Sequence, residues 1–185
     1  DLHYAVILEE DKDKTVYGEV KPLGPAQALG LQPNVNRANL RADDGVLFSE
    51  VSEGPLTVTV NTSYLDPEVE AEILGKEIDE RGGITDTDND NPPYIAIGGR
   101  AANARGGYDY FWLHRVKLSK PEENMETKQE TPTFQTPNLT GEAIGRLHDK
   151  SRRYKLWDRN PNITDTTIFD QWFKEVIDKN WAPEI

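Results

Sequence analysis

Residues 107–141 read GYDYFWLHRVKLSKPEENMETKQETPTFQTPNLTG, an alternating aromatic run followed by a Thr- and Pro-rich one. Tyr108, Tyr110, Trp112, His114, Val116 and Leu118 recur with the period of two that puts side chains on one face of a strand. Phe111, Leu113, Arg115 and Lys117 alternate on the other face. Pro121 has no N–H to donate and is expected to end the ladder. The run Glu122-Glu123-Asn124 reads as an exposed connection. A second extended stretch follows through Thr127, Thr131, Thr133, Phe134, Thr136 and Thr140, punctuated by Pro132 and Pro137. The aromatic strand requires a core on one side, whereas the Thr/Pro strand suits an edge or an interface. Trp112 and Phe134 are expected to carry core energy and to hold no ligand. Nothing here carries catalytic chemistry.

Outward from this stretch, the same periodicity continues. Residues 2–8 are apolar on both faces, the pattern of a doubly buried strand. The polar turn 9–14 leads to a hairpin partner at 15–21, which Pro22, Gly24 and Pro25 break. Residues 26–31 and 35–41 read as short strands around Pro33, with Asn34, Asn36 and Asn39 on a polar face. A turn at 42–45 precedes strands at 46–51 and 56–60. Residues 66–74 form the first helix: Asp66 suits the N-cap, Pro67 the first helical position, and Gly75 the stop. Val69, Ile73 and Leu74 are its apolar stripe. A further strand is expected at 94–97, followed by a glycine-rich connection over 98–107. Residues 142–147 and 154–157 look extended. A second helix is expected over 165–177, capped by Asp165, with Ile168, Phe169, Trp172, Phe173, Val176 and Ile177 as its apolar face.

Composition narrows the function. A chain of 185 residues is one domain, spanning 1–185, and can bury a real core. Its net charge of −12 argues against simple electrostatic binding to nucleic acid. With no cysteine it has no disulfide scaffold, thiol catalysis or Cys-type zinc site, which fits a reducing cytoplasm. No run approaches the ~20 apolar residues needed to cross a bilayer, and no signal peptide is visible. The sequence begins at Asp1 without a methionine, so some N-terminal residues are expected to be missing. The three Asn-X-Ser/Thr sequons, at Asn61, Asn138 and Asn162, read as chance.

Candidate chemistry is thin. His3, His114 and His148 are far apart, and none has a metal-ligand neighbour at helical spacing. Residues 86–90, Asp-Thr-Asp-Asn-Asp, resemble the start of a calcium-binding loop. Asn91 then replaces the required glycine, two prolines follow, and Ile97 stands where the bidentate glutamate belongs. A solvated acidic loop over 79–91 is the expectation. The serines lack a nucleophile elbow, and chance alone would supply a carboxylate pair. No enzyme, metal or cofactor is expected.

An ordered set of short motifs resembles the major tail protein family of long-tailed (siphovirus) bacteriophages. The motifs are Tyr110 to Leu113, Pro121 to Glu123, Glu126 to Lys128, Phe134 to Pro137 and Leu139 to Gly141. Upstream come Ala42-Asp43-Asp44-Gly45 and the stretch 65–75. The resemblance implies a mainly β fold, two packed antiparallel sheets as a β-sandwich or partly closed barrel, with two short flanking helices. It also implies homo-hexameric rings stacked into a hollow tube, built in the host cytoplasm with a tape measure and a tail terminator. DNA would pass through an acidic lumen without specific binding. On this reading residues 34–55 are a long loop or hairpin arm toward a neighbouring subunit. The interface candidates are Asp43, Asp44, Phe48, Asp86, Asp88, Arg146, Arg152 and Arg153. The rival readings are a β-sandwich carbohydrate-binding module and a secreted glycosidase.

Overall fold

The computed structural model describes residues 1–42, 45–119 and 136–182, with the backbone alone at 36–42 and 45–51. Phe134 and the motifs between 121 and 135 lie outside the described residues. The chain runs β1 (Leu2–Glu10), β2 (Thr15–Tyr17), β3 (Lys21–Gly24), β4 (Ala26–Ala42), β5 (Gly45–Thr62), α1 (Pro67–Leu74) and β6 (Glu77–Ile78). It continues through β7 (Ile84–Thr85), β8 (Tyr94–Ala102), β9 (Tyr108–Ser119), β10 (Asn138–Ala143), β11 (Arg153–Trp157) and α2 (Thr167–Gln171). The main sheet is antiparallel, in the order β2-β1-β8-β9-β10-β5-β4, with β3 also on β1 and β11 also on β9. β6 and β7 form a separate hairpin. The expectation of a mainly β fold with two short helices is borne out, and the sheet does not close into a barrel.

The aromatic strand β9 organises the sheet through one irregularity. Ile97 lies opposite Leu113 but Ile95 lies opposite Val116, so His114 and Arg115 together face the single residue Ala96. This β-bulge reverses the strand's two faces. Before it, Phe111 and Leu113 face the larger core; after it, Val116 and Leu118 do. Tyr110 and Trp112 face a second core with Ala96 on the reverse side. The simple one-face reading of residues 108–118 is therefore corrected. The far edge of β9 changes partner at the same point. It pairs with β11 through Asp109–Leu113 and with β10 from Val116 onward. The bulged backbone stays bonded: His114 N–H donates to Arg152 O at 3.0 Å, and the Tyr17 hydroxyl donates to His114 O at 2.9 Å.

The larger core joins Leu2 and Tyr4 of β1, Leu23 of β3, Val58 and Val60 of β5, and Leu139 and Ala143 of β10. Helix α1 covers it with Ile73 and Leu74. Asp66 has extended backbone at the N-cap but its side chain makes no capping bond. Gly75 ends the helix in the left-handed region, φ 66°, where a Cβ would meet Asn91 O at 2.4 Å.

The second core is closed by the C-terminal segment. Trp172 and Ile177 are fully buried there against Tyr110 and Trp112. The helix expected over 165–177 is shorter, Thr167–Gln171, with Thr166 at the N-cap. Asp165 instead accepts from the Thr167 N–H at 2.9 Å. After Gln171 the chain turns, Lys174 N–H bonding back to Gln171 O at 2.9 Å, and this lets residues 172–177 follow the sheet surface. Tertiary burial overrides the helical period.

Two further expectations change for local reasons. Gly98 and Gly99 belong to β8 instead of a loop. Large side chains lie over their backbone, and a Cβ on Gly98 would sit 2.5 Å from the Trp112 indole. The expected break at Pro33 is a bulge inside one long strand, β4. There Asn34 faces both Gly54 and Pro55, a position where prolines cost no ladder bond.

Candidate functional site

β4 lies at the end of the sheet order, so among the described residues its outer edge has no strand beside it. Its first half is anchored, because β5 also pairs with β10 from Leu56 to Asn61. Beyond the Pro33–Val35 bulge, the pairs from Val35↔Glu53 to Ala42↔Gly45 belong to β4 and β5 alone. The result is a two-stranded arm ~26 Å long at ~3.3 Å per residue. One cation braces its root: Arg152 Nη1 donates to Gly54 O at 2.7 Å, and Nη2 to Glu53 Oε2 at 3.1 Å. Leu40 is the register partner of Phe48 toward the arm's far end. Asp43 and Asp44 fall between Ala42 and Gly45 and lie outside the described residues, as does the side chain of Phe48.

The acidic loop is partly spent within its own chain. Lys76, whose side chain is only 4% exposed, pairs with Glu70 at 2.7 Å and with Asp86 at 3.0 Å. Asp90 accepts from the Thr87 hydroxyl at 2.5 Å and from the Thr87 N–H at 3.1 Å. Asp88 is exposed. These bonds tie the loop to the end of α1 through Lys76. Of the two acidic candidates in this loop, Asp86 is engaged at home and Asp88 faces outward.

The cations between Arg146 and Arg159 take three different roles. Arg146 is 3% exposed and bonds Asp149 at 2.7 Å and Asp178 at 2.9 Å, so its charge fastens the C-terminal segment to the sheet. A guanidinium with two carboxylates beside it stays inside because leaving would strand them. Arg152 braces the arm. Arg153 is exposed on β11, two residues before Lys155, which pairs with Asp109 at 3.1 Å. The basic surface continues onto the β8–β9 turn, where Arg105 lies over the Trp157 ring at 4.4 Å. Arg105 is not among the candidates named from the sequence, because β11 and the turn meet only in space.

The histidines sit in packing positions. His3 stacks on Phe173 at 4.4 Å, His148 Nδ1 lies 3.1 Å from Thr15 Oγ1, and His114 is buried at the bulge. Burial, with the Arg146 charge second, pulls the His114 imidazole down to about 4. Among the described residues no three His, Asp or Glu converge as a metal site, and no helix is long and apolar enough to cross a membrane. The geometry therefore offers edges, an arm and charged surfaces.

Comparison with known families agrees in kind. A family model described as phage tail tube protein matches residues 26–180, from the start of β4 to the C-terminal segment. No curated protein matches the chain.

Proposed function

The chain belongs to the phage tail tube protein family, and from that premise we propose that its copies join edge to edge into six-membered rings that stack into a hollow tail tube. As a member of that family it is a structural protein of the phage tail. The finer reading rests on β4. A long free edge is a template for another strand, and an isolated two-stranded arm is marginal in water. A neighbouring copy satisfies both: it completes the sheet and gives the arm a surface to pack against. The tape measure and the tail terminator are the further partners of this reading, and the host cytoplasm is the place of assembly. The protein catalyses no reaction and needs no cofactor. An acidic chain suits a conduit whose wall must not hold phosphate, so DNA passes without specific binding.

The test is assembly of the purified protein. Negative-stain microscopy of concentrated samples should show tubes with sixfold end views. Hydrogen exchange should then find amides of residues 26–32 slowed in tubes relative to the monomer. Monomers at every concentration, or tubes in which these amides exchange as in the monomer, would overturn the reading.

A further inference from the structure

The net charge of −12 is concentrated in one place. Residues 66–91 contain ten carboxylates against Lys76 and Arg81, a net −8. This lobe, α1 with the β6–β7 hairpin, enters the sheet at Tyr94, the first residue of β8. At the other end of β8 follows the turn that carries Arg105, packed over Trp157. Arg159 sits beside that turn, its Nη1 3.0 Å from where a Gly106 Cβ would lie. Arg153 continues the basic surface along β11. The termini of β8 at these two ends, Tyr94 and Ala102, are ~26 Å apart over eight steps of ~3.3 Å, although Glu72 of the lobe reaches back to Lys21 and the Tyr4 hydroxyl.

No ion pair found among the described residues joins them. The lobe's carboxylates pair with Lys21 and Lys76, whereas the basic end pairs with Asp1 and Asp109. Each end also exposes one large apolar residue among its charges. Ile78 is 42% exposed on the lobe, and Tyr108 is 43% exposed at the basic end with Arg100 5.0 Å from its ring centre. An apolar centre with a charged rim is the usual anatomy of a protein–protein contact.

We propose that the acidic lobe of one copy docks head to tail on the arginine end of the next, and that this contact links successive rings. The proposal rests on the tail-tube reading and adds to it which surfaces meet along the axis. Lobe against lobe would set like charges together, so the contact is between unlike surfaces. Such a contact does not close on a pair of copies; it propagates. It leaves the β4 edge to the contact within a ring.

The test compares four chains by light scattering and microscopy: wild type, Arg105→Glu/Arg159→Glu, Glu80→Lys/Asp88→Lys, and the chain with all four changes. All four substituted residues are exposed, and circular dichroism with thermal melting checks that each chain is folded. Each single-ended reversal should still form rings but elongate ~10-fold or more slowly, since rim charges act mainly on association. The four-fold swap should recover most of the wild-type rate. Elongation of a folded single-ended variant at the wild-type rate would overturn the proposal, as would a four-fold swap no faster than its parents. Loss of rings as well as tubes in the single-ended variants would place these surfaces inside the ring, again against it. A wild type that forms neither rings nor tubes would remove the tail-tube reading, and this contact with it.

Discussion

The indole N–H of Trp112, in the middle of β9, donates to the backbone carbonyl of Trp172 across 3.2 Å, and both side chains are fully buried. The bond joins the organising strand to the segment that closes the second core. Tyr110 meets Trp172 edge-on at 5.3 Å and Tyr154 stacks on it at 6.0 Å, so four aromatic rings share one small volume. Removing Trp112 should therefore cost more than its own burial. Trp112→Ala is expected to lose about 3–5 kcal/mol of stability in urea unfolding. Trp112→Phe keeps an aromatic ring but leaves the Trp172 carbonyl without its donor, and should lose about 1–3 kcal/mol. A Phe variant as stable as wild type would mean the hydrogen bond contributes nothing.

Gly98 makes room for that indole. A Cβ there would lie 2.5 Å from three of its ring carbons, a distance no relaxed contact adopts. Gly98→Ala should cost about 1–3 kcal/mol by overpacking. The cost should shrink when Trp112 is replaced by Leu in the same chain, because the two sites share one contact. Additive costs in that double-mutant cycle would show that the strain lies elsewhere.

His114 makes stability depend on pH in a definite window. Burial, then the Arg146 charge, holds its folded value at about 4, below the ordinary 6.5. Between those values the unfolded chain binds a proton that the folded chain does not, so stability falls as pH falls from about 6.5 to 4. The loss over that window is about 3 kcal/mol. His114→Gln should flatten it. A separate loss below pH 4 should remain from carboxylates such as Asp149, which Arg146 and the Ser151 N–H hold at about 2 against the upward push of burial. An unchanged slope between pH 4 and 6.5 in the variant would rule out His114 as its source.

The arm should be dispensable for folding and required for assembly. Replacing residues 35–53 by Asn-Gly leaves the β10-paired base of the hairpin intact. The shortened chain should melt within ~3 °C of wild type, equivalent to about 1 kcal/mol for a domain of this size. It should also remain monomeric in sedimentation. Tubes from the shortened chain would show that the arm has no part in the contact.

Arg152 should act on the arm and hardly at all on the core. With its two bonds to Glu53 and Gly54 removed, Arg152→Ala should speed amide exchange at residues 35–53 and leave β8 and β9 unchanged. Equal exchange in the arm of both proteins would mean that the brace carries no weight.

Much of this was readable in one dimension. Alternation over residues 108–118 located β9, and Asp66-Pro67 with Gly75 bounded α1. The ordered motifs pointed to the family that the match over 26–180 shows. Such features are local: a period of two, a proline at a helix start and a left-handed glycine each act within a few residues. The face reversal at His114–Arg115 also left a trace. Phe111 and Leu113 are apolar, but Arg115 and Lys117, on the same nominal face, are not.

What lay beyond the sequence depends on contacts between distant residues. The six apolar positions from Ile168 to Ile177 fit a helix, but burying Trp172 and Ile177 against β9 required the chain to turn after Gln171. Arg146, Arg152 and Arg153 look alike as neighbours in a basic run. Only the fold decided that the first is buried between Asp149 and Asp178, the second braces Gly54, and the third faces water. A side chain's charge is set by its chemistry, whereas its role follows from which groups tertiary packing brings within hydrogen-bond reach.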